Sequence, residues 1–178
     1  MNFRFYHEKL TESDEYKEFM KKNPKAYPCS CFFVLDREKS GADNRVHFDF
    51  LIPETKKMHS FKVNDKVELL DVENYDERPF EEISVDYNFN LEDFEKMIFQ
   101  KLQEEKINGR IQKLLFSLQK LNGKSFLIVT GFLNNLGLIK TTISLDEMKI
   151  ITFEKKSFFD MMKIMRGKGK NNKEDGKN

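Results

Sequence analysis

The stretch "HFDFLIPETKKMHSFKV", residues 47–63, alternates apolar and polar positions on both sides of a Pro-Glu-Thr-Lys break. Alternation with period two places successive side chains on opposite faces of a strand, so the pattern predicts an antiparallel hairpin. Pairing Ile52 with Lys57 sets Phe50 opposite His59, Phe48 opposite Phe61 and Val46 opposite Val63. One face then carries Val46, Phe48, Phe50, Ile52, His59, Phe61 and Val63, and the other, expected to be largely wet, carries His47, Asp49, Leu51, Met58, Ser60 and Lys62. A slip of one residue would turn three Phe outward, so the register is well specified.

Other elements follow from the same periodicities. Residues 2–6 alternate weakly and predict a short strand. Thr11 and Asp14 resemble a capping box before "EYKEFMKKN", whose Tyr16, Phe19 and Met20 fall at helical spacing ahead of Pro24. "CSCFFVLD" is rich in strand formers, "REKSGADN" reads as a loop, and "KVELLDV" as an extended strand before an acidic loop, "ENYDERPFEE". Asn90 is placed to cap "LEDFEKMIFQKLQEEK", where Leu91, Phe94, Met97, Ile98 and Leu102 form one apolar stripe that ends near "NGR". "IQKLLFSLQ", "KSFLIVTGF", "GLIKTTISL" and "KIITFEK" then predict a four-strand meander. Asn122-Gly123 marks its first turn.

Similar segments recur along the chain. Lys57-Met58-His59-Ser60-Phe61 aligns with Lys149-Ile150-Ile151-Thr152-Phe153 at an offset of 92 residues, with Glu54 falling on Asp146. The fold class expected is therefore α+β: two similar helix-then-antiparallel-meander units packed together, followed by a disordered C-terminal tail. The expected organisation is a first unit over 1–66, an acidic bridge over 67–89, a second unit over 90–156, a short amphipathic helix over 157–166 and a basic tail over 167–178.

The order helix, three strands, acidic turn, strand over residues 91–153 resembles the PepSY-type domain. "TTISLDEMKII" stands in the place of that family's strand–Asp–turn–strand ending, and "HFDFLIPETKKMHSF" is a second, poorer copy. No Gly follows the acidic turn residue in either copy. The resemblance implies a non-catalytic module, since such domains accompany peptidase propeptides or envelope proteins and act by binding or inhibiting partners. Its motif is structural, so it transfers no active-site residue.

Composition narrows the chemistry further. Eighteen Phe and no Trp make Phe the main large core side chain. A formal charge of +1 gives no whole-molecule attraction to nucleic acid, which is not an expected partner. The charge is nonetheless uneven: residues 71–95 sum to −9 and residues 155–178 to +5. The start is too charged for a secretory signal and no run reaches the ~20 apolar residues of a membrane span, which points to the cytoplasm.

Cys29 and Cys31 sit in a C-x-C pair, which on a regular strand shares one face, and both are expected to be buried, reduced thiols. No metal or cofactor motif is present; His7, His47 and His59 lack ligand spacing, and "GKGK" at Gly167 follows no strand. No catalytic residue is assigned. The candidate binding residues are Phe158, Phe159, Met162, Lys163, Met165 and Arg166 in "SFFDMMKIMRGKGKNNK", an apolar stripe flanked by cations. Such a segment suits a protein partner, or a weak contact with an anionic membrane. The expected function is a non-catalytic binding or regulatory module. The alternative is a small enzyme or ligand-binding domain with a polar cavity between the units, lined by His47, Asp49 or Glu54.

Overall fold

A computed structural model describes residues 1–39, 41–72 and 80–157. The centre of the acidic loop, the amphipathic helix expected over 157–166 (from residue 158 onward) and the basic tail lie outside these residues. Among these residues, three helices and eight strands follow in the order α1 (Phe3–Glu12), α2 (Asp14–Lys22), β1 (Tyr27–Asp36), β2 (Arg45–Ile52), β3 (Lys57–Val63), β4 (Val67–Val72), α3 (Leu91–Glu104), β5 (Ile111–Leu121), β6 (Lys124–Leu133), β7 (Gly137–Ser144) and β8 (Lys149–Ser157). All strand pairs are antiparallel, in one sheet of order β4-β3-β2-β1-β5-β6-β7-β8. Each half is a meander, and the two meet at a central seam where Cys31 pairs with Leu118 and Phe33 with Phe116.

The opening hairpin has the register that its side chains dictate: Ile52 pairs with Lys57, Phe50 with His59 and Phe48 with Phe61. The expected meander also forms from β5 to β8, and Asn122 (φ 51°) and Gly123 (φ 76°) make its tight left-handed first turn.

The chain start differs from expectation. Residues 2–6 are not a strand; α1 begins at Phe3, with the Asn2 side chain accepting from the Phe5 amide at 2.9 Å. The cap of α2 is Ser13, whose Oγ accepts from the Tyr16 amide at 3.2 Å, while the Thr11 hydroxyl turns back to the Glu8 carbonyl inside α1. Two abutting helices with one shared cap residue replace the strand and helix expected, because Ser13 satisfies the last turn of α1 and the first of α2. Asn90 precedes α3 as expected, but its side chain makes no cap bond; it accepts from Asn2 Nδ2 at 3.0 Å instead. The Leu91 amide bonds the Met1 carbonyl, the Phe3 amide bonds the Phe89 carbonyl, and the terminal ammonium pairs with Glu92. These contacts lock the starts of α1 and α3 together.

The helices share one face of the sheet. Leu10 of α1, Phe19 of α2 and Phe94, Ile98 and Leu102 of α3 belong to the same buried cluster as Phe33, Phe48, Phe61 and Phe116. Phe19, Phe50 and Phe61 meet edge to face with centroids 5.2–6.0 Å apart, and Phe3 lies 5.7 Å from Phe48 and 5.1 Å from Phe89. The interior between helices and sheet is thus filled by rings rather than hollowed into a polar chamber. Gly131 is needed for that filling, since a Cβ there would sit 2.8 Å from Ile139 Cδ1 and 3.0 Å from Leu114 Cδ2.

Candidate functional site

Among the described residues no helix packs on the other face of the sheet. Strand alternation turns every second residue of β1, β5 and β6 toward it. Phe32 and Val34 therefore oppose Phe33 and Leu35, Leu115 opposes Leu114 and Phe116, and Phe126, Ile128 and Phe132 oppose Leu127 and Val129. None of these outward apolar side chains belongs to the buried cluster under the helices. Phe32, Leu115, Phe126, Ile128 and Phe132 remain partly accessible, whereas Val34 is buried. The result is an apolar strip at the centre of a face bare of helices among the described residues, with Arg45, Lys62 and Lys140 at its sides. A contiguous apolar patch rimmed by polar side chains is the usual anatomy of a contact surface.

At the β2–β3 end of this face the predicted polar residues come together, though not as a catalytic group. The Ser30 hydroxyl donates to Asp49 Oδ2 at 2.5 Å, and His47 Nδ1 lies 3.3 Å from Ser60 Oγ. Asp49 is thus bound to Ser30 rather than orienting His47, and Ser60 sits buried in mid-strand rather than at an elbow. Burial lowers the His47 pKa; Asp49 opposes that shift and Lys62 and Arg45 reinforce it. The His47 ring also meets the Phe32 edge at 6.4 Å, which makes it part of the apolar strip's border. Glu54 stands apart in the β2–β3 turn, paired with Lys25 at 3.3 Å.

Two expectations about these strands need correction. The second face of the hairpin is not largely wet: Leu51, Met58 and Ser60 are buried. Leu51, Met58 and Cys29 form a small cluster of their own, with Tyr27 and Phe80 packed against it. Phe80 reaches this cluster because the 80–89 segment returns across the end of β1, where Tyr27 Oη donates to the Phe80 carbonyl at 3.0 Å and the Ile83 amide to the Pro28 carbonyl at 2.9 Å. The same segment fastens to the other half of the sheet, as the Glu81 carboxylate accepts from the Asn122 and Gly123 amides at 2.6 and 2.9 Å.

Nor do the two cysteines share a face. The register shifts between Pro28 and Ser30, so Cys29 is the extra residue of a bulge and joins the small cluster, while Cys31 enters the main core. Both are buried and free, as expected. Burial, with a smaller push from Asp49, raises the Cys29 pKa to about 12 and lifts that of Cys31 well above its ordinary value. Neither is a nucleophile at neutral pH.

On the helix face, a groove of about 970 Å³ runs between α3 and the start of β5, past Phe99, Gln103, Arg110 and Ile111. The Arg37 guanidinium closes one side in a two-point pair with the Glu95 carboxylate. His59 lies elsewhere, under α2, with its ring 5.4 Å from Phe19 and Nδ1 2.9 Å from Asp71 Oδ1, although that contact lacks hydrogen-bond alignment. Among the described residues no three His, Cys, Asp or Glu side chains converge on a metal position, and no helix is long and apolar enough to cross a membrane.

Phe158, Phe159, Met162, Lys163, Met165 and Arg166, singled out for binding, lie outside the described residues. The open-face residues escaped sequence reasoning because their Phe were assigned to a single core face. The available signal was that "CFFVL" and "FLIV" are apolar at consecutive positions, which marks strands with apolar side chains on both faces.

No family model matches the chain, and no curated protein matches it. Among solved structures, the crystal structure of a "putative lipoprotein" from Clostridium difficile 630 is similar at 14% identity and a TM-score of 0.45, covering 84% of this chain and 99% of that one.

Proposed function

We propose that the protein is a non-catalytic binding or regulatory module that holds a protein partner on the open face of its sheet. One observation carries this reading: a strip of Phe, Leu and Ile lies at the centre of a face that no described helix covers, with charged side chains at its margin. The ring-filled interior supports it as well, since the space between helices and sheet is packed with Phe rather than opened into a polar chamber. Two helix-plus-four-strand units, each of the PepSY-like kind, form part of the same proposal; the order α1-α2-β1-β2-β3-β4 followed by α3-β5-β6-β7-β8 supports it. The segment Phe158, Phe159, Met162, Lys163, Met165 and Arg166 is proposed as a second, weaker contact.

Photo-cross-linking tests the face directly. A benzophenone side chain at Thr130 on the open face, compared with one at Glu18 on α2, should give a discrete adduct from Thr130 alone in cells of the native host. That adduct should vanish when Ile128→Asp is added to a chain that still folds. Equal adducts from both positions, or an adduct indifferent to Ile128→Asp, would sink the proposal.

A further inference from the structure

The register draws one row across the open face: Arg45 on β2, Val34 on β1, Leu115 on β5, Thr130 on β6 and Lys140 on β7. Four strand spacings separate its ends, about 19 Å at ~4.8 Å each. Three other cations on this face are matched, Lys62 with Glu68 at 3.2 Å, Lys113 with Asp43 at 3.5 Å and Lys156 with Glu154 at 3.0 Å, while Lys124 stands exposed at the far end of β6, away from this row. Arg45 and Lys140 are exposed, and among the described residues neither forms an ion pair. Glu154 stands opposite Lys140 across β7 and β8, but its carboxylate is held by Lys156. Two unmatched positive charges therefore bracket an aliphatic strip.

We infer that the occupant of this face is an acidic, apolar segment of the partner, its apolar side chains on Leu115 and Ile128 and its carboxylates at Arg45 and Lys140. This rests on the protein-binding reading and names the partner's chemistry. Carboxylates that meet both cations stand about six residues apart in an extended segment, or about thirteen in a helix. The chain's own C-terminal segment has the wrong sign, with a net charge of +5 over residues 155–178. Single-stranded nucleic acid is a poorer fit, because the accessible rings Phe32, Phe126 and Phe132 lie in other rows, while the row between the two cations is Val, Leu and Thr.

The test selects random twelve-residue peptides displayed on phage against the full chain, with counter-selection on the Ile128→Asp variant to keep binders of the open face. Recovered peptides should carry Asp or Glu on both sides of an apolar centre, and should lose about tenfold or more in affinity on the Arg45→Glu/Lys140→Glu double variant. That variant should in turn select peptides bearing Lys or Arg. Open-face binders without acidic bias, or indifferent to the charge reversal, would overturn the acidic partner while leaving the binding face standing. Failure to recover any peptide sensitive to Ile128→Asp would remove the binding face itself. Binding of the oligonucleotide dT12, lost with Lys140→Glu, would overturn the protein occupant in favour of a nucleic acid.

Discussion

The two faces of the sheet are built from the same kinds of side chain but meet different surroundings. On one, Phe48, Phe61 and Phe116 are fully buried beneath three helices; on the other, Phe32, Phe126 and Phe132 stay partly accessible, with no helix above them among the described residues. Intrinsic hydrophobicity therefore does not separate helix-covered from open-face Phe in this chain. What separates them is the parity of the position along each strand, together with which face the helices happened to cover.

Stability measurements sharpen that contrast first. Phe61→Ala should cost about 3–5 kcal/mol in urea unfolding, because it opens a cavity among Phe19, Phe50 and Tyr16. Phe126→Ser on the open face should cost under about 1 kcal/mol, as surface substitutions generally do. Equal losses would mean that the open face is a second core. Cys31→Ser comes next, since it places a hydroxyl in the main cluster at about 1–3 kcal/mol. In the folded wild type neither thiol should react with Ellman's reagent at pH 8, and both should react in urea.

Glu81→Ala should cost about 1 kcal/mol, the usual size for a lost hydrogen bond, and should free the β5–β6 turn. Faster amide exchange at Asn122 and Gly123 would show it. Glu81 matters to the comparison because it tethers the stretch that passes from Phe80 on the open side to Ile83 in the main core.

The smallest effect is on pH dependence. Burial holds His47 below its ordinary value of 6.5, so between its folded pKa and 6.5 the unfolded chain binds more protons. Stability from this source is complete above 6.5 and is lost as pH falls below it. His7, lowered likewise by burial, contributes in the same window. The urea midpoint should fall between pH 7 and pH 5, and His47→Gln should flatten part of that slope. A midpoint that rises on acidification would contradict the assignment.

Much of the architecture was legible because the determining signals were local. The β2–β3 register follows from three Phe that must face one way, the β5–β6 turn from Asn122-Gly123, and α3 from a single stripe. The Ser13 junction was missed because Thr11 and Ser13 are both competent caps, and the choice depends on α1 continuing through Thr11. The bulge at Cys29 and the return of Phe80 depend on hydrogen bonds between residues 20 to 53 positions apart. Alternation along a single strand carries no trace of such contacts. The open face was missed for a related reason: alternation shows that a strand has two sides, and only the assembled sheet shows which side the helices leave bare.

The central seam has a kinetic consequence. Each meander pairs neighbours in sequence, but β1 and β5 pair Cys31 with Leu118, 87 positions further along the chain. The hairpins can form early and separately, while the seam must wait for that long closure. Until it closes, two unpaired inner edges are exposed, each with apolar side chains on both faces, Phe32 and Phe33 on β1 and Leu115 and Phe116 on β5. The slow step of folding is therefore also the moment when this chain is most open to pairing with another copy of itself.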